Sequence, residues 1–188
     1  MCAKLLPLLF ALAAPVLYAQ SPPVVDPALR RQLVAAIDAA DSFDDRFDAE
    51  VWLVDMSARL KPFVSDPKQR LQLLRLVHRE ARRAGLAPEL VLAVIEVESR
   101  FDPYAVSRSG AQGLMQVMPF WLKEIGHEND NLIDMRTNLR LGCTILKYYM
   151  DMEHGDLHKA LARYNGSRGS RVYSQKVLDA LRKHWYQA

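Results

Sequence analysis

Signals that favour the start of an α-helix recur along the whole chain and constrain its fold more than any other feature. Most of the apolar stripes with helical spacing follow a start signal. The signal is an aspartate that can cap a helix, a proline suited to the first helical turn, or both. Helices are predicted to start at Asp26–Pro27, near Asp48, at Asp66–Pro67, Pro88, Asp134 and Asp156, and near Tyr173. We find no run of strand-like alternation, so the sequence predicts an all-α fold, with room for a short β-hairpin in the glycine-rich piece 107–118.

The N-terminus has the pattern of a secretory signal peptide over residues 1–19. Lys4 precedes an apolar run from Leu5 to Tyr18, which is shorter than a bilayer-spanning helix. An uncleaved anchor is the alternative. We therefore expect an exported protein, periplasmic or secreted, with no stable membrane insertion after signal removal. Residues 20–65 are predicted to form an N-terminal helical extension, and residues 66–188 the main domain.

Charge and cysteine content restrict the class of protein further. Loss of residues 1–19 lowers the formal net charge from +3 to +2, because that segment holds Lys4 and no acidic residue. So small an excess of positive charge argues against nucleic acid as a partner. Cys2 would leave with the signal peptide, so Cys143 would remain as the mature chain's single cysteine and could form no intramolecular disulfide.

Two glutamates lie near the end of the helix predicted to begin at Pro88. Glu96 shares one helical face with Glu89, Ala93 and Arg100, and we expect that face to be exposed to water. Glu98 instead lies over apolar neighbours that are predicted to point to the core.

A carboxyl group placed like that of Glu98 is a candidate general acid. Its apolar surroundings and the negative end of the helix dipole both raise the pKa of a carboxyl group. A raised pKa lets the group keep its proton near neutral pH and transfer it to a leaving-group oxygen. The alternative from position alone is that Glu98 pairs with an arginine at the surface.

The segment after this helix contains glycines that allow the chain to fold back. Gly110 and Gly113 permit tight turns, which would lay Ser107, Gln116 and Met118 beside the end of the helix. The sequence thus predicts a groove that starts at Glu98.

Three segments in this order resemble the lytic transglycosylase family, which has a goose-type lysozyme-like fold. They are ESRFDPYAVSRSGAQGLMQVMP at residues 98–119, NLRLGCTIL at 138–146 and ALARYNGS at 160–167. The resemblance covers roughly residues 67–186, and it identifies the domain of residues 66–188 as catalytic. One departure is Gly166–Ser167, where the family commonly has Ala-Gly, so the loop after Asn165 is expected to differ in shape.

The resemblance implies a role for each matched residue. Glu98 would be the single catalytic acid and base, and Ser99 would belong to its helix-end motif among the substrate-binding residues. The other substrate-binding residues would be Ser107, Gln116, Met118, Tyr164, Asn165 and Tyr173, with Tyr164 and Asn165 facing Glu98 across the groove. Asn138 and Gly142 would brace the site.

The resemblance also implies the substrate and the reaction. The substrate would be the glycan strands of peptidoglycan, cut at the β-1,4 bond between N-acetylmuramic acid and N-acetylglucosamine to leave a 1,6-anhydro end. No cofactor or metal is implied, and cell-wall or secretion machinery is a candidate partner. One carboxylate would suffice for this chemistry, in keeping with the absence of acidic residues between Asp102 and Glu124.

Three other interpretations of the sequence stay open. A lysozyme-like muramidase would hydrolyse the same bond with Asp102 positioning water, although we expect Asp102 to serve a turn or cap. A catalytically inert peptidoglycan-binding module would explain the altered third motif. A metal site at His154 and His158, with Asp156 between them, is the third, but a helix break there favours two solvated histidines at a turn.

Overall fold

A computed structural model describes Ser42 and residues 45–186 of the 188-residue chain. The predicted signal peptide and the helix predicted at Asp26–Pro27 lie outside these residues. The described helices are α1 (Arg46–Leu60), α2 (Pro67–Ala84), α3 (Pro88–Ser99), α4 (Phe120–Ile125), α5 (Met135–Met152), α6 (Leu157–Tyr164) and α7 (Val172–Ala180). A π-helical turn, Leu181–Trp185, continues α7.

The observed architecture confirms the predicted all-α fold. No strand occurs in residues 45–186, and the predicted hairpin is reduced to two isolated antiparallel bridges, Val106 with Gln112 and Gln112 with Val117. The six-residue helix α4 was not predicted, because it is too short to show a periodic apolar stripe.

The helix boundaries follow the predicted capping signals. The side chains of Asp66, Asp134 and Asp156 accept hydrogen bonds from backbone N–H groups in the first turns of α2, α5 and α6. Gly85 ends α2 with φ +69°, a left-handed conformation that favours glycine. The local sequence therefore determines where these helices begin and where α2 ends.

Helix α3 lies at the centre of the molecule. Its residues 91–95 are completely buried, and it packs against α2 on one side and against α7 with the π-helical turn on another. Helix α5 packs against α2 and α6. The last turn of α3, which carries Glu98, is therefore held by elements from distant parts of the chain.

The prediction that the face of Glu89, Ala93, Glu96 and Arg100 is exposed to water was wrong except at Arg100, which is exposed. Ala93 is fully buried, and Glu89 accepts a hydrogen bond from Trp52 Nε1 on α1 at 2.6 Å. Glu96 accepts one from Trp185 Nε1 at 2.8 Å. Helix α1 and the π-helical turn cover this face, and the periodicity of α3 alone contains no information about them.

Within residues 45–186, the structure contains no helix that combines the length and apolar character needed to cross a membrane.

Candidate active site

Glu98 lies in the last turn of α3, where the chain bends sharply. Arg100 and Phe101 follow with φ of +51° and +68°, a left-handed conformation that is strained for residues with a Cβ atom. Ser99 Oγ lies 2.8 Å from the carbonyl oxygen of Leu114, to which its hydroxyl can donate. The hydroxyl of Ser99 thereby connects the end of α3 to the glycine-rich loop, and in this arrangement it positions the site.

The glycine-rich loop is fixed to α5 by one buried amide. Asn138 Oδ1 accepts from Met115 N, and its Nδ2 donates to the carbonyl oxygens of Gln112 and Leu132, each at 2.8 Å. A Cβ atom at Gly113 would lie only 2.3 Å from Asn138 Nδ2, and one at Gly142 only 2.5 Å from Met115 Sδ. The two glycines therefore allow the loop and α5 to approach closely, as expected for residues that brace the site.

Tyr164, at the end of α6, lies beneath the site. Its hydroxyl donates to the carbonyl oxygen of Met115 at 2.7 Å. Burial and the nearby charge of Glu98 raise its pKa well above the usual value for tyrosine, so it remains a donor. Its hydroxyl is directed to the loop backbone and it does not line the cleft around Glu98, so its expected contact with glycan opposite Glu98 stays a prediction.

Two side chains contact the Glu98 carboxyl group directly. Tyr173 on α7 donates its hydroxyl to Glu98 Oε1 at 2.6 Å, and the side chain of Asn165 forms a second hydrogen bond. Burial raises the pKa of Glu98 to about 7, outweighing these two hydrogen bonds, which lower it by favouring the charged form. The predicted direction of the pKa shift is confirmed.

The carboxyl group of Glu98 opens into a cleft of about 310 Å³. Asn165, Ser170, Tyr173 and Lys176 contribute polar side chains to its wall. Glu98 is the only acidic residue among the described residues that line it. This combination provides a proton donor, two groups that orient it and one cation, in a cleft open to solvent.

The structure does not bring every predicted site residue to this cleft. Ser107 Oγ accepts from Ala111 N at 3.0 Å, and Gln116 Nε2 donates to the carbonyl oxygen of Gly113 at 3.0 Å, so both side chains form hydrogen bonds inside their own loop. Met118 is half-buried before α4. None of these three lines the cleft around Glu98, and their contact with glycan stays a prediction.

Lys176 was missed by the sequence reasoning. It lies three residues after Tyr173, which places both side chains on neighbouring positions of one face of α7. That spacing could have indicated that Lys176 also lines the cleft, since Tyr173 was already assigned to it.

Two residues considered for other chemistry have structural contacts. Asp102 Oδ1 accepts from Tyr104 N at 2.9 Å, which is the expected turn role. His158 Nδ1 lies 2.9 Å from the hydroxyl of the buried Ser174, so the prediction of two solvated histidines was wrong for His158 because α7 packs beside it. Within the described residues, no group of three or more His, Cys, Asp or Glu side chains is arranged to hold a metal ion.

The helical architecture has a solved counterpart. The structure is similar to that of an inactive mutant of the lytic transglycosylase Slt from Pseudomonas aeruginosa, with a TM-score of 0.52 and 22% identity, over 89% of this chain and 38% of that one. At this level of identity the likeness shows the fold alone, which is the expected lysozyme-like helical fold.

The sequence itself provides the family assignment. The model of the transglycosylase SLT domain matches residues 75–183, and the chain belongs to that family, the lytic transglycosylases. It is 36% identical over 119 residues to proteins named membrane-bound lytic murein transglycosylase C from Yersinia pestis (strain Pestoides F) and Yersinia pseudotuberculosis serotype O:1b (strain IP 31758). Each match covers 55% of this chain and 33% of the relative, so the chain spans about a third of the length of these curated relatives.

Proposed function

We propose that this protein is a peptidoglycan lytic transglycosylase. It cleaves the β-1,4 bond between N-acetylmuramic acid and N-acetylglucosamine, and Glu98 acts as both acid and base. The observation that carries the proposal is the cleft around Glu98, in which a carboxyl group with a pKa of about 7 is the only acidic residue among those that line it. The family assignment and the names of the relatives support it.

In the first step the protonated Glu98 donates its proton to the glycosidic oxygen. The bond to the anomeric carbon breaks, and the N-acetyl oxygen of the substrate attacks that carbon from the other side. The Tyr173 hydroxyl already donates to Oε1, so it stabilises the negative charge that forms on Glu98 as the proton leaves. The side chain of Asn165 stabilises the same charge.

In the second step the carboxylate of Glu98 acts as the base. It removes the proton of the muramic 6-hydroxyl, whose oxygen then attacks the anomeric carbon, displaces the N-acetyl oxygen and closes the 1,6-anhydro ring. The proton returns to Glu98, which restores the starting state. No water molecule is consumed, and this removes the need for a second carboxylate that hydrolytic glycosidases use to activate water or to form a covalent intermediate.

Digestion of purified cell-wall sacculi tests the proposal. Mass spectrometry of the released fragments should show 1,6-anhydro ends, each lighter by one water than a reducing end. Glu98→Gln should lower the rate by about a hundredfold to ten-thousandfold, the usual contribution of general acid–base catalysis. Glu96→Gln is the matched control, and it should remain active per folded molecule because Glu96 binds Trp185 instead of facing the cleft.

Two results would replace the proposal with one of its rivals. Reducing ends in place of anhydro ends would identify a lysozyme-like muramidase. A folded mature chain that binds sacculi without releasing fragments would identify an inert binding module. Export to the periplasm, or secretion, belongs to the same proposal and is tested by fractionation of cells that produce the full chain.

A further inference from the structure

A second cleft, which we call the basic cleft, lies beside the cleft of Glu98. It has a volume of about 390 Å³ and is formed by α6, the residues before it and the loop between α6 and α7. Its charged lining residues are Glu153, Asp156, Lys159, Arg163, Arg168 and Arg171. The proposed reaction uses none of them.

The positive charges in the basic cleft are only partly compensated. Arg163 forms an ion pair with Glu153, and Lys159 forms one with Asp156 at 3.0 Å. Both acidic residues of the lining are thereby neutralised. Arg168 and Arg171 are exposed, and neither guanidinium group has an ion-pair or hydrogen-bond partner within residues 45–186. Two arginines are therefore available to bind an anion.

The basic cleft adjoins the cleft of Glu98 at one shared residue. Ser170 lines both clefts, and the residues just before it contribute Ser167 to the first cleft and Arg168 to the second. Gly166 and Gly169 in this loop have φ of +75° and +83°, and a Cβ atom at either would meet nothing within 4 Å. A ligand bound at Glu98 can therefore extend a charged branch over Ser170 to the arginines.

We propose that the basic cleft binds the carboxylates of the peptide carried by muramic acid, so that the enzyme prefers peptide-bearing glycan to bare glycan. This inference rests on the proposed function, because it takes the glycan to lie in the cleft of Glu98. The sugar hydroxyls and acetamido groups of glycan are uncharged and do not require two uncompensated arginines. In peptide-bearing glycan the lactyl carboxyl group of muramic acid is held in the amide bond to the peptide, so the carboxylates lie on the peptide branch, and guanidinium groups bind carboxylates with paired hydrogen bonds.

A ratio of two rates tests the proposal. The enzyme is given peptide-bearing sacculi and, separately, glycan from which an amidase has removed the peptides, so that each muramic acid keeps only its lactyl carboxylate next to the sugar and no peptide branch. The double variant Arg168→Gln/Arg171→Gln should lower the ratio of the peptide-bearing rate to the bare-glycan rate by about threefold to tenfold, as expected for two partly exposed ion pairs. Arg168→Lys/Arg171→Lys should restore part of the ratio, because the charges return without the planar fork.

Arg136→Gln is the matched control, because Arg136 is exposed on α5 and lines neither cleft. It removes the same type of charge and should leave the ratio unchanged. A double variant whose ratio equals that of the wild type would overturn the proposal, whether its two rates are retained or fall together. The same holds if Arg136→Gln lowers the ratio as much as the double variant does.

A measurement on the wild type alone keeps the proposal testable if the double variant does not fold. Raising the salt concentration from about 0.05 M to about 0.5 M screens exposed ion pairs, so the ratio should fall toward one. A wild type that cleaves both substrates equally at low salt would refute the preference and leave the proposed function intact. A wild type that cleaves neither would refute the proposed function, and with it this inference.

Discussion

Glu96 and Glu98 lie on the same helix with one residue between them, and their carboxyl groups have different surroundings. Glu96 is held by Trp185 and by His184, whose Nδ1 lies 2.9 Å from Oε1. Glu98 accepts a hydrogen bond from the Tyr173 hydroxyl, and burial raises its pKa to about 7. The first carboxyl group fixes the C-terminal turn, whereas the second is available to exchange a proton.

The raised pKa predicts how activity depends on pH. The proposed reaction begins with protonated Glu98, so kcat/KM should fall as the pH rises through about 7, and approach a tenfold loss per pH unit above that value. The pH dependence of kcat/KM on a soluble peptidoglycan fragment measures this directly. A profile that stayed flat to about pH 9 would contradict the role of Glu98 as acid.

Tyr173→Phe should raise the midpoint of the pH profile, that is, the pH at which kcat/KM has fallen to half of its maximum. The Tyr173 hydroxyl stabilises the charged carboxylate, so its removal favours the protonated form and raises the pKa of Glu98 further. We expect a lower maximal rate, because the charge that forms on Glu98 loses a donor, together with a midpoint at higher pH. A purely structural role for Tyr173 would lower the rate without moving the midpoint.

Glu98→Gln should change how stability depends on pH. Between pH 4.5 and about 7 the folded state binds more protons at Glu98 than the unfolded state does, so this residue lowers the free energy of unfolding as the pH rises through that range. The glutamine variant has no such proton. Its stability relative to the wild type should therefore increase by about 1–3 kcal/mol from about pH 4 to about pH 8.

Urea unfolding of both proteins at the two pH values measures this difference. The stability difference at about pH 4 gives the effect of the substitution that does not depend on the proton, and it is subtracted from the difference at about pH 8. A relative stability that is the same at both pH values would show that Glu98 is not protonated more strongly in the folded state.

At the scale of residues, the sequence was informative only about near neighbours. The apolar residues beneath Glu98 lie within one or two turns of the same helix, so its burial could be predicted. The partners of Glu96 lie 88 and 89 positions further along the chain, and no local pattern indicates them. Glu98 and Tyr173 are 75 positions apart, which explains why the family resemblance was needed to connect them.

At the scale of elements, α5 positions the glycine-rich loop. Asn138 satisfies one backbone donor and two backbone acceptors there and is completely buried. Asn138→Ala would leave these groups without partners, so we expect a loss of about 2–4 kcal/mol in the free energy of unfolding. Chemical denaturation measures it, and activity should fall as the loop loses its fixed position.

Thr137→Ala is the control on the neighbouring residue, which is only half-buried. It should change stability by no more than about 0.5 kcal/mol. If Asn138→Ala cost no more than this control, the loop would be held by other contacts.

The helices with capping aspartates were predictable, since each cap bonds to a backbone N–H within three residues. The shape of the loop between α3 and α4 could not be predicted. It depends on Asn138 from α5 and on the left-handed Gln116, with φ of +49°, and neither is encoded by local periodicity.

At the scale of the whole molecule, α1 and the catalytic helices share one hydrophobic core. Leu53, Met56 and Leu60 are completely buried, and they belong to the same cluster as Val91 and Ile95 of α3. The segment predicted as an N-terminal extension therefore contributes to the core that supports Glu98.

Leu53→Ala tests whether α1 unfolds together with the rest of the chain. A cavity at a completely buried leucine should cost about 2–5 kcal/mol and shift the main unfolding transition. Val54→Ala, at a position that is 46% exposed, should cost much less. If Leu53→Ala left the main transition and the activity unchanged, α1 would be a separate unit.

The fold class could be predicted from capping and periodicity, and the raised pKa of Glu98 from the apolar residues of its own helix; the catalytic role of Glu98 stays a prediction from the motif. The packing of α1 on α3 could not be predicted from the sequence. It depends on Trp52 meeting Glu89 across 37 residues, and a single tryptophan on an amphipathic helix is compatible with many partners.

The two tryptophan–glutamate hydrogen bonds restrict motion in the enzyme. Glu89 joins the start of α3 to α1, and Glu96 joins its end to the π-helical turn, so α3 is anchored at both ends. These two contacts restrain the helix that carries Glu98. A cleft that narrows around a ligand would therefore move mainly at the loop between α6 and α7, where Gly166 and Gly169 each precede a serine of the lining.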